Sequence, residues 1–168
     1  SGILKLHNAK FVRNSDNKIV ITSRSAEVTV FDDMGREKER YKLPYGSILA
    51  TDDNAKIVSG QIVASWDPHS HPIIVERGAK VSHSDIDDTN TEVQQDDLTG
   101  LTRTVVKDLS KANAKEPKLI LEMDDGALQE IRLPSFTTIE VTDGSNVKAG
   151  AVLARIPQES SKTRDITG

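Results

Sequence analysis

Ile57-Val58-Ser59-Gly60-Gln61-Ile62-Val63-Ala64 returns 90 residues later as Val147-Lys148-Ala149-Gly150-Ala151-Val152-Leu153-Ala154. The same offset carries Lys42-Leu43-Pro44 onto Arg132-Leu133-Pro134, and Asp53 onto Asp143, without a gap. One register held from residue 42 to residue 64 is an internal repeat, and a repeat must be settled before any other feature is read. Two copies are too few for a solenoid, whose units lean on several neighbours. The sequence therefore predicts two similar small domains in tandem. Upstream, Asp32-Asp33-Met34-Gly35 and Asp124-Asp125-Gly126 are both acidic glycine turns, but their glycines stand one residue out of register. A one-residue insertion in one of the two turns would account for that.

Within each copy the apolar residues mark short strands. Glu27 to Phe31, an acidic turn and Arg36 to Leu43 read as a hairpin; Lys118 to Glu122, its turn and Leu128 to Leu133 read as the counterpart. Gly60 and Gly150 lie between a loop and an apolar run, where glycine permits a positive φ. Along the phrase, Ile62, Val63, Val152 and Leu153 are expected to divide between buried and exposed faces by strand alternation. Trp66, the only tryptophan, falls opposite Ile156 in the second copy, and that apolar equivalent predicts a core residue.

Outside the repeat, Ile3 to Leu6 and Lys18 to Thr22 read as strands around a polar turn at Asn14 to Asn17. Pro68 and Pro72 bracket His69-Ser70-His71 and force an extended joint. The expected organisation is a first domain over residues 1–68, a second over 69–158 and a linker over 159–168. Ile73 to Val81 reads as one strand opening the second domain, and Leu101 to Leu109 contains another. Ser84 to Thr102 has no Lys or Arg but carries Asp85, Asp87, Asp88, Glu92, Asp96 and Asp97, a pattern of a solvated hairpin or loop. Ser110 to Pro117 reads as a surface loop. The interior offers no helix of three turns, so the fold class is all-β.

Composition bounds the function. Twenty-two basic against 26 acidic residues give a net charge of −4, which opposes unaided nucleic-acid binding, since duplex affinity rests on a basic surface. Aromatics are 4% of the chain and cysteine is absent, so there is neither a large aromatic pocket nor thiolate chemistry. No apolar run approaches spanning length and no signal-peptide pattern opens the chain. A soluble cytoplasmic setting is expected.

Catalytic signatures are missing as well. The available metal ligands are His7, His69, His71, His83 and carboxylates, short of the three or four organised ligands that zinc takes. Asp85, Asp87 and Thr89 can be laid on the first positions of a calcium loop, but Asn90 stands where that loop needs glycine, and Asp96 replaces its closing glutamate. Neither a phosphate loop nor a nucleophile elbow occurs. The sequence assigns no catalytic, cofactor-binding or metal-binding residue.

The repeated phrase resembles that of the biotinyl and lipoyl carriers, flattened barrel-sandwich domains that present a modified lysine on a hairpin just after it. Here no lysine occurs from Ile57 to Ala79, and after Ile156 the first is Lys162, without flanking methionines. The resemblance implies the fold without the carrier chemistry; a stand-alone carrier or adaptor domain is the alternative function. A closer resemblance covers the whole chain in order. Val20-Ile21-Thr22-Ser23-Arg24, Tyr41-Lys42-Leu43-Pro44-Tyr45-Gly46, Ala64-Ser65-Trp66-Asp67-Pro68-His69, Asp97-Leu98-Thr99-Gly100-Leu101, Leu153-Ala154-Arg155-Ile156-Pro157-Gln158-Glu159 and Asp165-Ile166-Thr167-Gly168 are similar to the large insertion in the trigger loop of the β′ subunit of proteobacterial DNA-directed RNA polymerase. The chain is shorter than some of those insertions around Asn113 to Lys118 and Pro134 to Phe136.

That resemblance implies two tandem barrel-sandwich hybrid domains and a place inside a nucleotidyltransferase whose catalytic contacts lie outside this stretch. It implies a regulatory module that modulates trigger-loop folding, and so nucleotide addition, pausing and transcript cleavage. The implied partners are neighbouring β′ elements near the jaw and secondary channel, with no strong nucleic-acid binding and no membrane. The isolated piece is expected to be a monomer. Mg2+ and Zn2+ would be bound elsewhere in the parent enzyme, with no cofactor in this stretch.

Overall fold

The computed structural model describes residues 2–58, 61, 63–111 and 115–158. It divides into two units, Ser1–Asp67 and Pro68–Gly168. The first holds β1 (Gly2–His7), β2 (Phe11–Arg13), β3 (Ile19–Ile21), β4 (Glu27–Phe31), β5 (Glu37–Lys42), β6 (Ile48–Leu49), β7 (Lys56–Ile57) and β8 (Ala64–Ser65). The second holds β9 (Ser70–Ile74), β10 (Ala79–Ser84), β11 (Thr91–Gln95), β12 (Thr102–Val106), β13 (Lys118–Met123), β14 (Leu128–Arg132), β15 (Thr138–Ile139), β16 (Ser145–Val147) and β17 (Val152–Pro157). Among the described residues the helical content is one 3-10 turn, Leu109–Lys111, and the protein is all-β.

Each unit is built from two antiparallel sheets. In the first their strand orders are β5-β4-β1-β7 and β2-β3-β6-β8; in the second they are β14-β13-β10-β16 and β11-β12-β15-β17-β9. Strand for strand the orders are the same, except that β9 has no counterpart among the described residues of the first unit. Alternation explains why these stretches fold as sheets. Leu4 and Val30 pair across β1 and β4, Val81 and Leu121 across β10 and β13, and all four turn inward. Leu43 with Leu49 and Leu133 with Ile139 complete equivalent parts of the two cores. Each such fully buried side chain contributes roughly 1.5–3 kcal/mol of transfer free energy.

The landmarks of the sequence repeat hold equivalent turns. Asp53 Oδ1 accepts the Leu6 N–H at 3.0 Å, and Asp143 Oδ1 accepts the His83 N–H at 2.8 Å. Ser47 N–H donates to the Pro44 carbonyl and Thr137 N–H to the Pro134 carbonyl. Both turns need a positive φ at their third residue: Gly46 supplies 89°, but the second turn sets Phe136 at 71°. Gly150 has φ 85°, as its place before an apolar run predicts; Gly60 and Ile62 lie outside the described residues.

Several expectations are corrected. The one-residue mismatch does not sit in a turn. Both acidic turns close alike, Asp32 N–H to Arg36 carbonyl and Met123 N–H to Ala127 carbonyl. Instead Val30 faces Glu39 and Phe31 faces Glu37, so Lys38 is the extra residue of a β-bulge in β5, while β13 and β14 pair continuously. Ile73 to Val81 is not one strand: β9 and β10 belong to different sheets, so the chain must turn between them at residues 75–78. The proline joint is a turn at Pro68 and His69 that runs into β9, and β9 lies at a sheet edge where Pro72 displaces no inner ladder bond. A short strand, β2, escaped the sequence reading.

Candidate functional site

The histidines scatter. His7 Nε2 meets Thr29 Oγ1 at 2.7 Å, His83 Nε2 meets the Val141 carbonyl at 2.9 Å, and His71 Nδ1 meets the Gln158 amide at 3.3 Å. His69, two residues from His71, gives its carbonyl to the Gln158 N–H. Among the described residues no three His, Asp or Glu side chains come together.

The acidic run is a turn, then β11, a loop and β12. It is less uniformly solvated than its composition predicts, because Asn90 is fully buried within it. Its side-chain amide donates to the Asp85 and Lys115 carbonyls at 2.6 and 3.0 Å, and its Oδ1 accepts the Asp87 N–H. The residue that spoils a calcium loop therefore ties the turn together. Asp87 is engaged by the Thr89 hydroxyl and N–H and by Lys115, and these hold its carboxyl below the ordinary aspartate value. Asp96 and Asp125 are lowered in the same sense, chiefly by backbone N–H groups of Leu98 and Ala127. At the tip of the β11–β12 hairpin Leu98 and Leu101 are exposed, and so is Val93 in the middle of β11.

One concave feature of the first unit is a groove of about 480 Å³ beside β8, floored by Val28, Val30, Leu43, Ile57 and Val63 and rimmed by Tyr41, Lys42 and Trp66. Trp66 is 49% exposed, against the core position expected for it. Its counterpart Ile156 lies inside β17, opposite His71 of β9. β8 ends at Ser65 and no strand among the described residues pairs with its outer edge, so Trp66 passes the end of the ladder onto the groove rim. Tyr41, 51% exposed, gives its hydroxyl to Glu39 at 2.6 Å, and the acceptor carboxylate raises the phenol's pKa. Sequence reasoning missed this groove.

What these features define is a tandem all-β module whose repeated polar residues serve turns and strand edges. No family model matches the chain. Over all 168 residues it is 75% identical to the DNA-directed RNA polymerase subunit beta′ of Pseudoalteromonas atlantica and 69% identical to that of Pseudoalteromonas translucida, covering 12% of each subunit. Against the same subunit of Colwellia psychrerythraea the identity is 49% over 182 aligned positions, with the whole chain matched to 13% of that subunit. The chain belongs with the β′ subunits of DNA-directed RNA polymerase, as a segment spanning about an eighth of their length.

Proposed function

We propose that the chain is an insertion in the trigger loop of the β′ subunit, made of two barrel-sandwich hybrid domains, and that it modulates nucleotide addition, pausing and transcript cleavage in the cytoplasm. The observation that carries this reading is the full-length identity to β′ subunits, joined to the likeness of the insertion strings. The paired sheets of each unit support the barrel-sandwich assignment. Residues 165–168, whose string resembles the approach to the second trigger helix, lie outside the described residues.

Such a module works by contact free energy. It shifts the trigger-loop equilibrium only if it touches neighbouring polymerase parts, here the β′ jaw and secondary channel region, differently in the folded and unfolded states. A difference of about 1.4 kcal/mol shifts that equilibrium tenfold, within reach of a small interface. The catalytic contacts and the parent enzyme's metal ions belong to other parts of the polymerase, so the module acts on populations rather than on bonds.

The test replaces residues 1–168 by a short flexible linker in assembled polymerase and compares single-nucleotide addition and pause lifetimes at saturating nucleotide. RNA synthesis should persist, with altered pausing, elongation rate and cleavage. Complete loss of synthesis by a well-assembled enzyme would place a required residue in the chain; unchanged kinetics would make the module passive.

A further inference from the structure

In the second unit the outer edge of β17 is covered. Ile73 lies opposite Ala154, Pro72 opposite Arg155 and His71 opposite Ile156. Val75 continues the contact, donating to the Ala151 carbonyl at 3.1 Å and accepting the Gly150 N–H at 2.8 Å. Ile74 and Val75 are buried by this arrangement, and Ile73 packs against the core. In the first unit no strand among the described residues pairs with the outer edge of β8. The groove lies there, with an apolar floor and a half-exposed tryptophan on its rim.

We propose that this groove seats one more strand, and that its occupant is the stretch of β′ immediately ahead of Ser1. Chain order selects that occupant. β9 leads by a short turn into β10, and β10 is the counterpart of β1, because Val81 faces Leu121 as Leu4 faces Val30. The positions equivalent to Ser70 to Val75 therefore precede Ser1 by a few residues, and the matched subunits are about eight times longer than this chain. A short link confines the segment to the neighbourhood of β8, so that docking is intramolecular and needs little intrinsic affinity.

The groove's chemistry fits an extended segment. Backbone groups on a strand edge supply a hydrogen-bonding template, and the floor takes apolar side chains at alternate positions, as the second unit takes Ile73. Lys38, Glu39 and Lys42 border it with mixed charge, which favours no strongly charged ligand. The inference needs only that β′ chain precedes Ser1, so it stands or falls apart from the trigger-loop assignment.

Trp66 is the only tryptophan and reports on the groove without labelling. Three chains are compared: residues 1–168, the same chain extended upstream by about ten of the subunit's own residues, and one extended by those residues scrambled. The native extension should shift Trp66 emission to the blue, reduce its quenching by iodide and slow amide exchange at residues 64–66 about tenfold or more, independently of protein concentration. Val63→Asp in the extended chain should return the tryptophan signal to that of the short chain while exchange in the second unit stays unchanged. Identical Trp66 emission and exchange in all three chains would overturn the proposal, as would an equal effect of the scrambled extension. Protection that grows with protein concentration would assign the groove to a second copy and overturn it too.

Discussion

Val63 and Leu153 stand at the same place in two units of the same topology, yet Leu153 is wholly buried and Val63 only half so. On the inner side the two ladders match: Ala50 N–H donates to the Val63 carbonyl, and Glu140 N–H to the Leu153 carbonyl. The difference comes from β9, which closes the outer edge of β17 and has no counterpart beside β8 among the described residues. Tyr41 and Ile131 tell the same story on the facing sheet, the first exposed and the second packed against the core. Local sequence sets the register of each unit, whereas burial at its open side is set by a strand that arrives from elsewhere in the chain.

The comparison is broken most directly by truncating the two side chains. Leu153→Ala removes a fully buried side chain beside Leu133 and Val75 in one core cluster, and should destabilise the second unit by about 2–4 kcal/mol. Val63→Ala loses fewer atoms at a half-buried groove position, and should cost the first unit about 1 kcal/mol or less. Urea unfolding followed by amide exchange in each unit separates the two effects. Equal losses would mean that the groove is as closed as the core of the second unit.

Much of this arrangement was legible in the sequence because the repeat made each landmark answerable to a second copy. Asp53 and Asp143, Pro44 and Pro134, and the two hairpins all serve the same local purpose twice, and local hydrogen-bonding chemistry is what sequence spacing encodes well. Trp66 was misread for the complementary reason. Ile156 is inside a ladder only because β9 pairs with it, and such a partner across the edge leaves no mark on residues 64–66. The missing residue of the second hairpin was likewise placed in a turn, although Lys38 is accommodated by a bulge, which costs a strand less than an altered tight turn would. Leu153 and Ala154 are both buried, contrary to simple alternation, because the β9–β17 ladder shifts register between Val152 and Ala154. The groove was not legible, because it is defined by a strand edge that no described residues of the first unit pair with.

A smaller contrast lies in the paired turns after Pro44 and Pro134. Gly46 adopts its positive φ freely, whereas Phe136 carries a bulky side chain at φ 71°. Left-handed backbone costs a non-glycine residue on the order of 1 kcal/mol, and Phe136, 47% exposed, recovers only part of that through burial. Phe136→Gly should therefore stabilise the second unit by roughly 0.5–1 kcal/mol, and Gly46→Ala should destabilise the first by about 1 kcal/mol. Thermal melts of the two variants check both signs. A destabilised Phe136→Gly protein would show that the aromatic ring holds more than its exposure suggests.

The smallest effect expected is with pH, and it again separates the units. Asp87, Asp96 and Asp125 in the second unit have carboxyl pKa values lowered by Thr89, by the Leu98 and Thr99 N–H groups and by the Ala127 N–H; in the first unit Asp32 is lowered chiefly by the Arg36 N–H, and Glu37 by Arg40. A carboxylate whose folded pKa lies below its unfolded value binds fewer protons in the folded state. Its stabilisation is complete above the unfolded pKa and is lost as pH falls through the folded one. None of the five groups is buried, so each contributes little, and salt weakens the ion-paired contributions at Asp32, Glu37, Asp87 and Asp125 further. Stability should thus be flat from neutral pH down to the ordinary carboxylate range and decline below it, with the second unit, which has three such aspartates against one aspartate and one glutamate, declining slightly more. Amide exchange between pH 3 and 6, corrected for the intrinsic rate at each pH, resolves the units individually. Asp96→Asn should shallow the acid decline of the second unit and leave the first unchanged, because its Oδ1 accepts N–H groups only within the β11–β12 loop. A decline that began well above the carboxylate range would sink this account.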